Sequence, residues 1–195
     1  LRQPEYWERL VKEYDIAIVI LVTESGGGHN FNVAQYVLAS DKWTCVYIDS
    51  ACVIFLRDDR FPAEFLKLHR VALFEKHEFS AQVFQEYEKK AARYTTNYFL
   101  RWVLGKVINF PEPLEFVTKG NWLINIGSFD QAIPQYLKAL EINPLLKDGD
   151  FWLGYCLYKK GMFEYAQVFA KRALKIDPGN PDVLLLLAEL EKNRD

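Results

Sequence analysis

The chain lacks a long apolar run, an excess of charge of one sign and a cysteine framework. Its longest strongly apolar run covers residues 16–23. A membrane helix needs roughly 20 apolar residues, so we expect no membrane insertion by this chain. The 24 basic and 26 acidic side chains are interspersed and nearly balance, which argues against a nucleic-acid partner. The cysteines, Cys45, Cys52 and Cys156, stand outside any metal-ligand spacing, and an odd number cannot be fully paired.

Groups that could carry chemistry are few and scattered. His69 and His77 stand eight residues apart, not at the i,i+4 spacing that puts two metal ligands on one helix face, and His29 is isolated. Neither Ser25 nor Cys45 lies in a local nucleophile motif, and a cysteine in a buried strand usually behaves as a small apolar residue. We therefore expect no catalytic residues, no metal and no cofactor.

A repeat with a period of 34 residues occupies the C-terminal part of the chain. Small residues recur where two helices of one repeat must approach closely, and a second glycine recurs where the first helix must end in a left-handed residue. The matching pairs are Gly120 and Gly154, Gly127 and Gly161, Phe129 and Phe163, Ala132 and Ala166, Ala139 and Ala173, Leu140 and Leu174, Ile142 and Ile176, and Pro144 and Pro178. In its period and in the places of these residues, the segment resembles the tetratricopeptide-repeat (TPR) family.

The resemblance implies a TPR domain over residues 113–195, folded as a right-handed superhelix of helical hairpins. Its parts are repeat one (113–146), repeat two (147–180) and a capping helix (181–192). Asn180 is the expected N-cap of the capping helix. Ser128 with Gln131 has the spacing of a capping box for the second helix of repeat one, and Pro134 is expected to bend that helix.

Residues 1–60 are predicted to form a small α/β domain. A helix over residues 5–14, with Tyr6, Leu10 and Val11 as its apolar positions, comes first. Strands are expected near residues 16–23, 43–48 and 52–57. The first is almost purely aliphatic and suits a strand covered on both faces, whereas the other two are spaced as a hairpin.

Residues 61–112 are predicted to be a helical region that packs on both halves of the chain, giving an α+β, mostly α fold class. Pro62 and Ser80 mark helix starts. Aromatic residues then recur at helical spacing, which is typical of core packing; they are Phe84, Tyr87, Tyr94, Tyr98 and Trp102.

The order of features over residues 5–58 resembles the soluble C-terminal tail of GT-C type (dolichyl-phosphate-mannose-like) membrane glycosyltransferases. The pattern consists of Tyr6-Trp7 heading a helix, Tyr14-Asp15 before a strand, Trp43-x-x-Val46-Tyr47-x-Asp49, and Val53-Ile54-Phe55-Leu56-Arg57. In those proteins TPR repeats often follow, and the catalytic carboxylates lie in the membrane half. The resemblance implies an extracytoplasmic accessory module of a larger protein; without it, a cytoplasmic location would be expected.

The glycines at positions 26–28 follow the first predicted strand, where backbone amides at a helix N-terminus can cradle a phosphate. Phe31 stands where a dinucleotide loop needs its third glycine, and the Gly-Lys-Ser/Thr of a P-loop is absent. A flexible loop is the favoured interpretation. The alternative is a nucleotide- or sugar-phosphate-binding enzyme domain that uses Gly26, Gly27 and Gly28.

The predicted binding surface is the concave face of the TPR array, because the first helices of such repeats line it and residues one turn apart project together. It would present Val117, Asn121, Ile124 and Asn125 from repeat one, and Phe151, Tyr155, Tyr158 and Lys159 from repeat two. Aromatic anchors flanked by amides suit a protein or peptide partner that is extended or forms an amphipathic helix. The same face could instead be filled by the N-terminal helices, since a two-repeat array needs cover. The favoured function is a protein-interaction scaffold, not an enzyme.

Overall fold

The computed structural model describes residues 4–22, 28–74, 78–95 and 111–193. Within these ranges the chain is mostly helical and carries a three-stranded sheet, which confirms the predicted α+β fold class. The helices are α1 (Pro4–Glu13), α2 (Gly28–Ala39), α3 (Ala63–His69), α4 (Ala81–Thr95), α5 (Leu114–Asn125), α6 (Phe129–Ile142), α7 (Gly149–Lys159), α8 (Phe163–Ile176) and α9 (Pro181–Lys192). The strands are β1 (Ile18–Val22), β2 (Trp43–Ile48) and β3 (Cys52–Arg57), and a 3-10 turn covers Asp58–Arg60.

The sheet is antiparallel, with strand order β1-β3-β2. Strands β2 and β3 form the predicted hairpin. Its turn is held by Asp49, whose Oδ1 accepts hydrogen bonds from the backbone amides of Ala51 and Cys52, both at 2.8 Å, as aspartate commonly does in tight turns. Beyond β2, the backbone amide of Val71 donates to the carbonyl of Cys45 at 2.8 Å. The segment after α3 therefore lies along the outer edge of β2.

The prediction that the first strand is covered on both faces is wrong. Val19 and Leu21 are buried, but Ile18, Ile20 and Val22 are 49%, 61% and 48% exposed. An antiparallel edge strand can pack one face on the core and leave the other open, so the alternation of burial follows from its place in the sheet. An all-aliphatic strand hides this alternation at the level of sequence.

Helix α1 buries a different residue from those expected. Trp7 is buried against the core, and its ring lies 6.2 Å from that of Trp43 on β2. Tyr6 is 41% exposed, with the guanidinium of Arg9 over its ring at 5.0 Å. Val11 packs against the core as predicted.

The C-terminal helices pair as the period requires. Helices α6 and α8 each cover 14 residues and lie one 34-residue period apart. Gly127 and Gly161, between the helices of each hairpin, have φ angles of 77° and 76°. The predicted left-handed positions are therefore confirmed, and only glycine adopts them without strain.

Close helix packing explains the other recurring glycines. A Cβ atom at Gly120 would lie 2.8 Å from Cε2 of Tyr136, a fully buried ring on α6. At Gly154 it would lie 3.2 Å from the carbonyl oxygen of Ala166 and 3.3 Å from the amide nitrogen of Ala170. Each glycine of α5 and α7 thus permits contact with the second helix of its own repeat.

The helix ends agree with the sequence in one case and differ in another. Asn180 caps α9 as predicted, since its Oδ1 accepts from the amides of Asp182 and Val183 at 3.0 and 3.3 Å. The capping box at Ser128 does not form: its hydroxyl donates instead to the backbone carbonyl of Leu73. Ser128 is buried, so it joins the TPR part to the segment after α3. Helix α6 continues through Pro134.

Helix α4 docks on the second helix of repeat two. Phe84 and Tyr87 are buried, and their rings lie 6.2 and 5.7 Å from that of Phe169 on α8. One contiguous cluster contains buried apolar residues of both parts, Phe84 and Tyr87 among them, so these two aromatics have the predicted core role. The side chain of Tyr94, together with Tyr98 and Trp102, lies outside the described residues. The division into parts 1–60, 61–112 and 113–195 stays a prediction.

Replacing Gly120 with alanine is expected to destabilise the fold by about 1–3 kcal/mol, because the new methyl group would overlap the ring of Tyr136. The control is Gly179→Ala, since a Cβ atom there meets no atom within 4 Å. Urea unfolding of the three proteins measures the difference. Equal midpoints for the two variants would contradict the close approach of α5 and α6.

Candidate protein-binding groove

The predicted concave-face residues lie on the first helices of the two repeats, α5 and α7. Those on α5 are Val117, Asn121, Ile124 and Asn125, and those on α7 are Phe151, Tyr155, Tyr158 and Lys159. Asn125 and Lys159 are exposed, Phe151 is 8% exposed, and the others are half-buried. Spacings of three and four residues place each set along one helix stripe. Their role in binding stays a prediction.

Tyr155 is the centre of an aromatic cluster on α7. Its ring lies 6.0 Å from Trp152 and 6.3 Å from Phe151 on the same helix, and 6.1 Å from Phe129 at the start of α6. The ammonium of Lys159 lies over the ring of Tyr155 at 5.3 Å, within cation–π distance. This arrangement gives a rigid apolar surface with a cation beside it.

Repeat one offers a less polar surface than the sequence predicted. Asn121 was expected to present its amide to a partner, but its Oδ1 accepts a hydrogen bond from the hydroxyl of Tyr136. Burial raises the pKa of Tyr136 far above its ordinary value, so the hydroxyl keeps its proton and remains a donor. Asn121 therefore also supports the packing of α5 on α6.

The sequence analysis missed the continuation of this surface on α9. Leu185 stands 34 residues after Phe151 and is 62% exposed. In the same register, Glu189 follows Tyr155 and Lys192 follows Tyr158, and these two form an ion pair at 2.7 Å. The 34-residue period is the sequence signal that locates all three positions.

Helix α7 also carries a buried carboxylate. Asp150 is 1% exposed, and its Oδ2 lies 3.2 Å from Nη2 of Arg172 on α8. Neither oxygen has a hydrogen bond of good geometry to the described residues. Burial raises the pKa of Asp150 to about 6, and the charge of Arg172 opposes this shift. Arg172 also reaches the hydroxyl of Tyr87 at 3.4 Å, so the pair connects α4 to the repeats.

The structure offers little support for chemistry elsewhere. Gly26 and Gly27 of the phosphate-binding alternative lie outside the described residues, and Gly28 is the first residue of α2. Cys45 is buried, and burial raises its pKa to about 11, so its thiol is protonated at neutral pH. Across the described ranges, no cluster of three or more His, Cys, Asp or Glu residues could hold a metal ion.

The acidic turn after β3 is tied to a distant part of the chain. Asp58, Asp59 and Arg60 are exposed, but Arg57 is buried. Its guanidinium joins Asp59 to Asp15, which stands 42 residues earlier in the chain. Such a distant partner gives no local sequence signal.

Comparison with known proteins agrees with the helical geometry. Residues 116–144 and 151–180 match the family model for the tetratricopeptide repeat. The chain therefore carries two TPR motifs, which include most of each of the four helices α5 to α8. A TPR repeat-containing protein of Methanocaldococcus jannaschii is 36% identical over 66 residues, which are 34% of this chain and 12% of that protein. The chain thus matches a small part of that relative.

Two solved structures are also similar to part of this chain. The first TPR of Spaghetti (RPAP3), bound to the HSP90 peptide SRMEEVD, has a TM-score of 0.41 and 13% identity, over 58% of this chain and 94% of that one. The Yersinia enterocolitica type III secretion chaperone SycD, in complex with a peptide of the translocator YopD, has a TM-score of 0.39 and 17% identity, over 61% of this chain and 100% of that one.

None of the helices in the described part of the chain has the length and apolar character that a membrane span requires.

Proposed function

We propose that this chain is a protein-interaction scaffold that holds an apolar segment of a partner protein on the stripe formed by α5, α7 and α9. The observation that carries the proposal is the aromatic cluster around Tyr155, which is half-buried and not sealed in the core. Large aromatic side chains that are already held by neighbours bind with little loss of conformational entropy, and they dominate protein interfaces. TPR motifs at 116–144 and 151–180 make α5 and α7 the helices on which a partner is expected.

The position of α4 supports an open groove. Phe84 and Tyr87 of α4 pack on α8, which is the second helix of repeat two. First helices line the concave side of a TPR array, so this docking uses the other side. Exposed Leu185 extends the stripe to α9, and leucine there offers a partner more apolar surface.

We propose further that the parent protein is a membrane glycosyltransferase and that this chain is its soluble accessory part. The support is the pattern over residues 5–58, whose Trp7, Asp15, Trp43 and Arg57 come together in space. The sequence of the parent gene tests this directly. Several membrane spans upstream would agree with it, whereas a soluble nucleotide-binding half would contradict it.

Tyr155→Ala is the test of the groove. It is expected to weaken the binding of a purified partner by at least about 2 kcal/mol, roughly thirtyfold in dissociation constant, because the ring of Tyr155 is the centre of the cluster. The partner is first isolated by pull-down, and its affinity is then measured by calorimetry. Lys175→Ala, an exposed change on α8, is the control and should leave the affinity unchanged.

A second variant separates binding from folding. Leu185→Ser removes an exposed apolar side chain. It should leave the free energy of unfolding within about 0.5 kcal/mol of the wild-type value while weakening the binding of the partner. If Tyr155→Ala lowers stability and neither variant changes the affinity of the folded protein, the stripe is an internal packing surface and the proposal fails.

A further inference from the structure

A cleft with a volume of about 1080 Å³ opens in the N-terminal part of the chain. Its walls are α1, the end of α2, and the sheet where β2 begins and β3 ends. This volume is slightly above the usual range of pockets that hold small ligands. The cleft is separate from the α5–α7–α9 stripe.

Aromatic side chains form one wall of this cleft. Trp43 on β2 is half-buried and packs at 6.2 Å from the ring of Trp7 on α1. Tyr36 on α2 also lines the cleft and is half-buried. Trp7 therefore supports the indole of Trp43, which contributes an apolar surface beside polar groups.

The charges of the lining cancel. Five acidic and five basic side chains surround the cleft. The most buried cation, Arg57, is already satisfied: Nε donates to Asp59 at 2.7 Å, Nη2 to Asp15 at 2.7 Å, and Nη1 to the carbonyl of Ile16 at 2.8 Å. Arg60 also donates to Asp15. An anionic ligand would have to displace these carboxylates from the two guanidinium groups, so Arg57 and Arg60 are poorly placed to bind phosphate.

Carboxylate oxygens remain accessible beside these two arginines. The side chains of Asp15 and Asp59 are 61% and 68% exposed. Hydrogen bonds from Arg57 and Arg60 hold the pKa of Asp15 below its usual value, so this group stays ionised at neutral pH. Each ionised carboxylate accepts several hydrogen bonds and therefore has capacity beyond its arginine partner.

We infer that this cleft is a binding site for a neutral saccharide of about disaccharide size. Sugar hydroxyls donate charge-assisted hydrogen bonds to the carboxylates of Asp15 and Asp59. The C–H face of a pyranose ring packs on the indole of Trp43. A ligand with hydroxyl donors, an apolar face and no net charge is complementary to each part of this lining.

The test is nuclear magnetic resonance titration of the ¹⁵N-labelled 195-residue chain with maltose, cellobiose and lactose, and separately with inorganic phosphate. At least one disaccharide is expected to shift the indole resonance of Trp43 saturably, with a dissociation constant in the millimolar range. The indoles of Trp122 and Trp152 in the repeats should not move. Phosphate should shift none of them. Shifts with phosphate and not with sugars, or none with any of the three sugars at high millimolar concentration, would overturn the assignment.

A matched pair of variants locates the site. Asp59→Asn is expected to weaken the binding of the sugar about tenfold, because it replaces a carboxylate acceptor in the cleft with an amide. Asp58→Asn, the exposed neighbour on the same turn that does not line the cleft, should change the affinity by less than about twofold. Both residues are exposed, so both variants should fold. Equal affinities for the two variants would place the sugar elsewhere and refute the proposal.

Discussion

Replacing Arg172 with methionine is expected to lower the free energy of unfolding at pH 8 by about 3–5 kcal/mol, because it leaves the buried carboxylate of Asp150 without its charge partner. Methionine keeps the length and most of the packing of the arginine stem. The change also removes the guanidinium from the ring of Tyr87, 4.9 Å away. Urea unfolding at fixed pH measures the loss, and a loss below about 1 kcal/mol would show that the pair does not stabilise the fold.

The pH dependence and a double variant identify the cause of that loss. In the folded wild type the pKa of Asp150 is raised to about 6 from its ordinary 3.8. The stability from this group is therefore fully present below pH 3.8 and is lost as the pH rises through about 6. In Arg172→Met a neutral Asp150 needs no partner, so the difference from wild type should shrink between pH 8 and pH 5. The double variant Asp150→Asn with Arg172→Met carries neither charge and should recover most of the stability.

The repeat part could be predicted from sequence because each rule that shapes it is local or periodic. A left-handed residue at Gly127 and a close approach at Gly120 both leave glycine in the sequence. The 34-residue period then places one helix pair after another. The cap at Ser128 differed because a serine hydroxyl has a choice of acceptors, and a distant carbonyl, that of Leu73, lies within reach.

The N-terminal part was less predictable because its decisive contacts join residues far apart in the chain. Strand positions followed from composition, but the exposed face of β1 depends on which strand becomes the sheet edge. Arg57 is satisfied by Asp15, 42 residues away. Sequence spacing carries no information on such pairs, so the cleft around them was not foreseen.

The groove was predictable in position but not in chemistry. The helical spacing of four residues places Tyr155 and Lys159 on one stripe, and the two side chains are in contact. Helical spacing cannot show that Asn121 accepts a hydrogen bond from Tyr136, because that contact depends on how closely α5 and α6 approach. The position of Leu185 does follow from the sequence, since it lies one 34-residue period after Phe151.

Phe84→Ala is expected to destabilise the chain by about 3–5 kcal/mol, the usual loss when a buried phenylalanine is truncated. Phe84 is 1% exposed, and its ring lies 4.8 Å from Tyr165 and 6.2 Å from Phe169. The new cavity would separate α4 from α8, where the N-terminal half meets repeat two. The measurement is thermal unfolding followed both by far-ultraviolet circular dichroism and by tryptophan fluorescence.

The control is Val83→Ala on the same helix, where the side chain is 42% exposed and truncation should change stability by less than about 0.5 kcal/mol. Because one apolar cluster includes buried residues from both halves, the wild type should unfold in a single transition with both probes. Phe84→Ala should lower that transition or split it, with the repeats melting apart from the sheet. If Phe84→Ala and Val83→Ala unfold alike, then α4 does not hold the two halves together, and the TPR array must be stable without the cover that its small number of repeats leads us to expect.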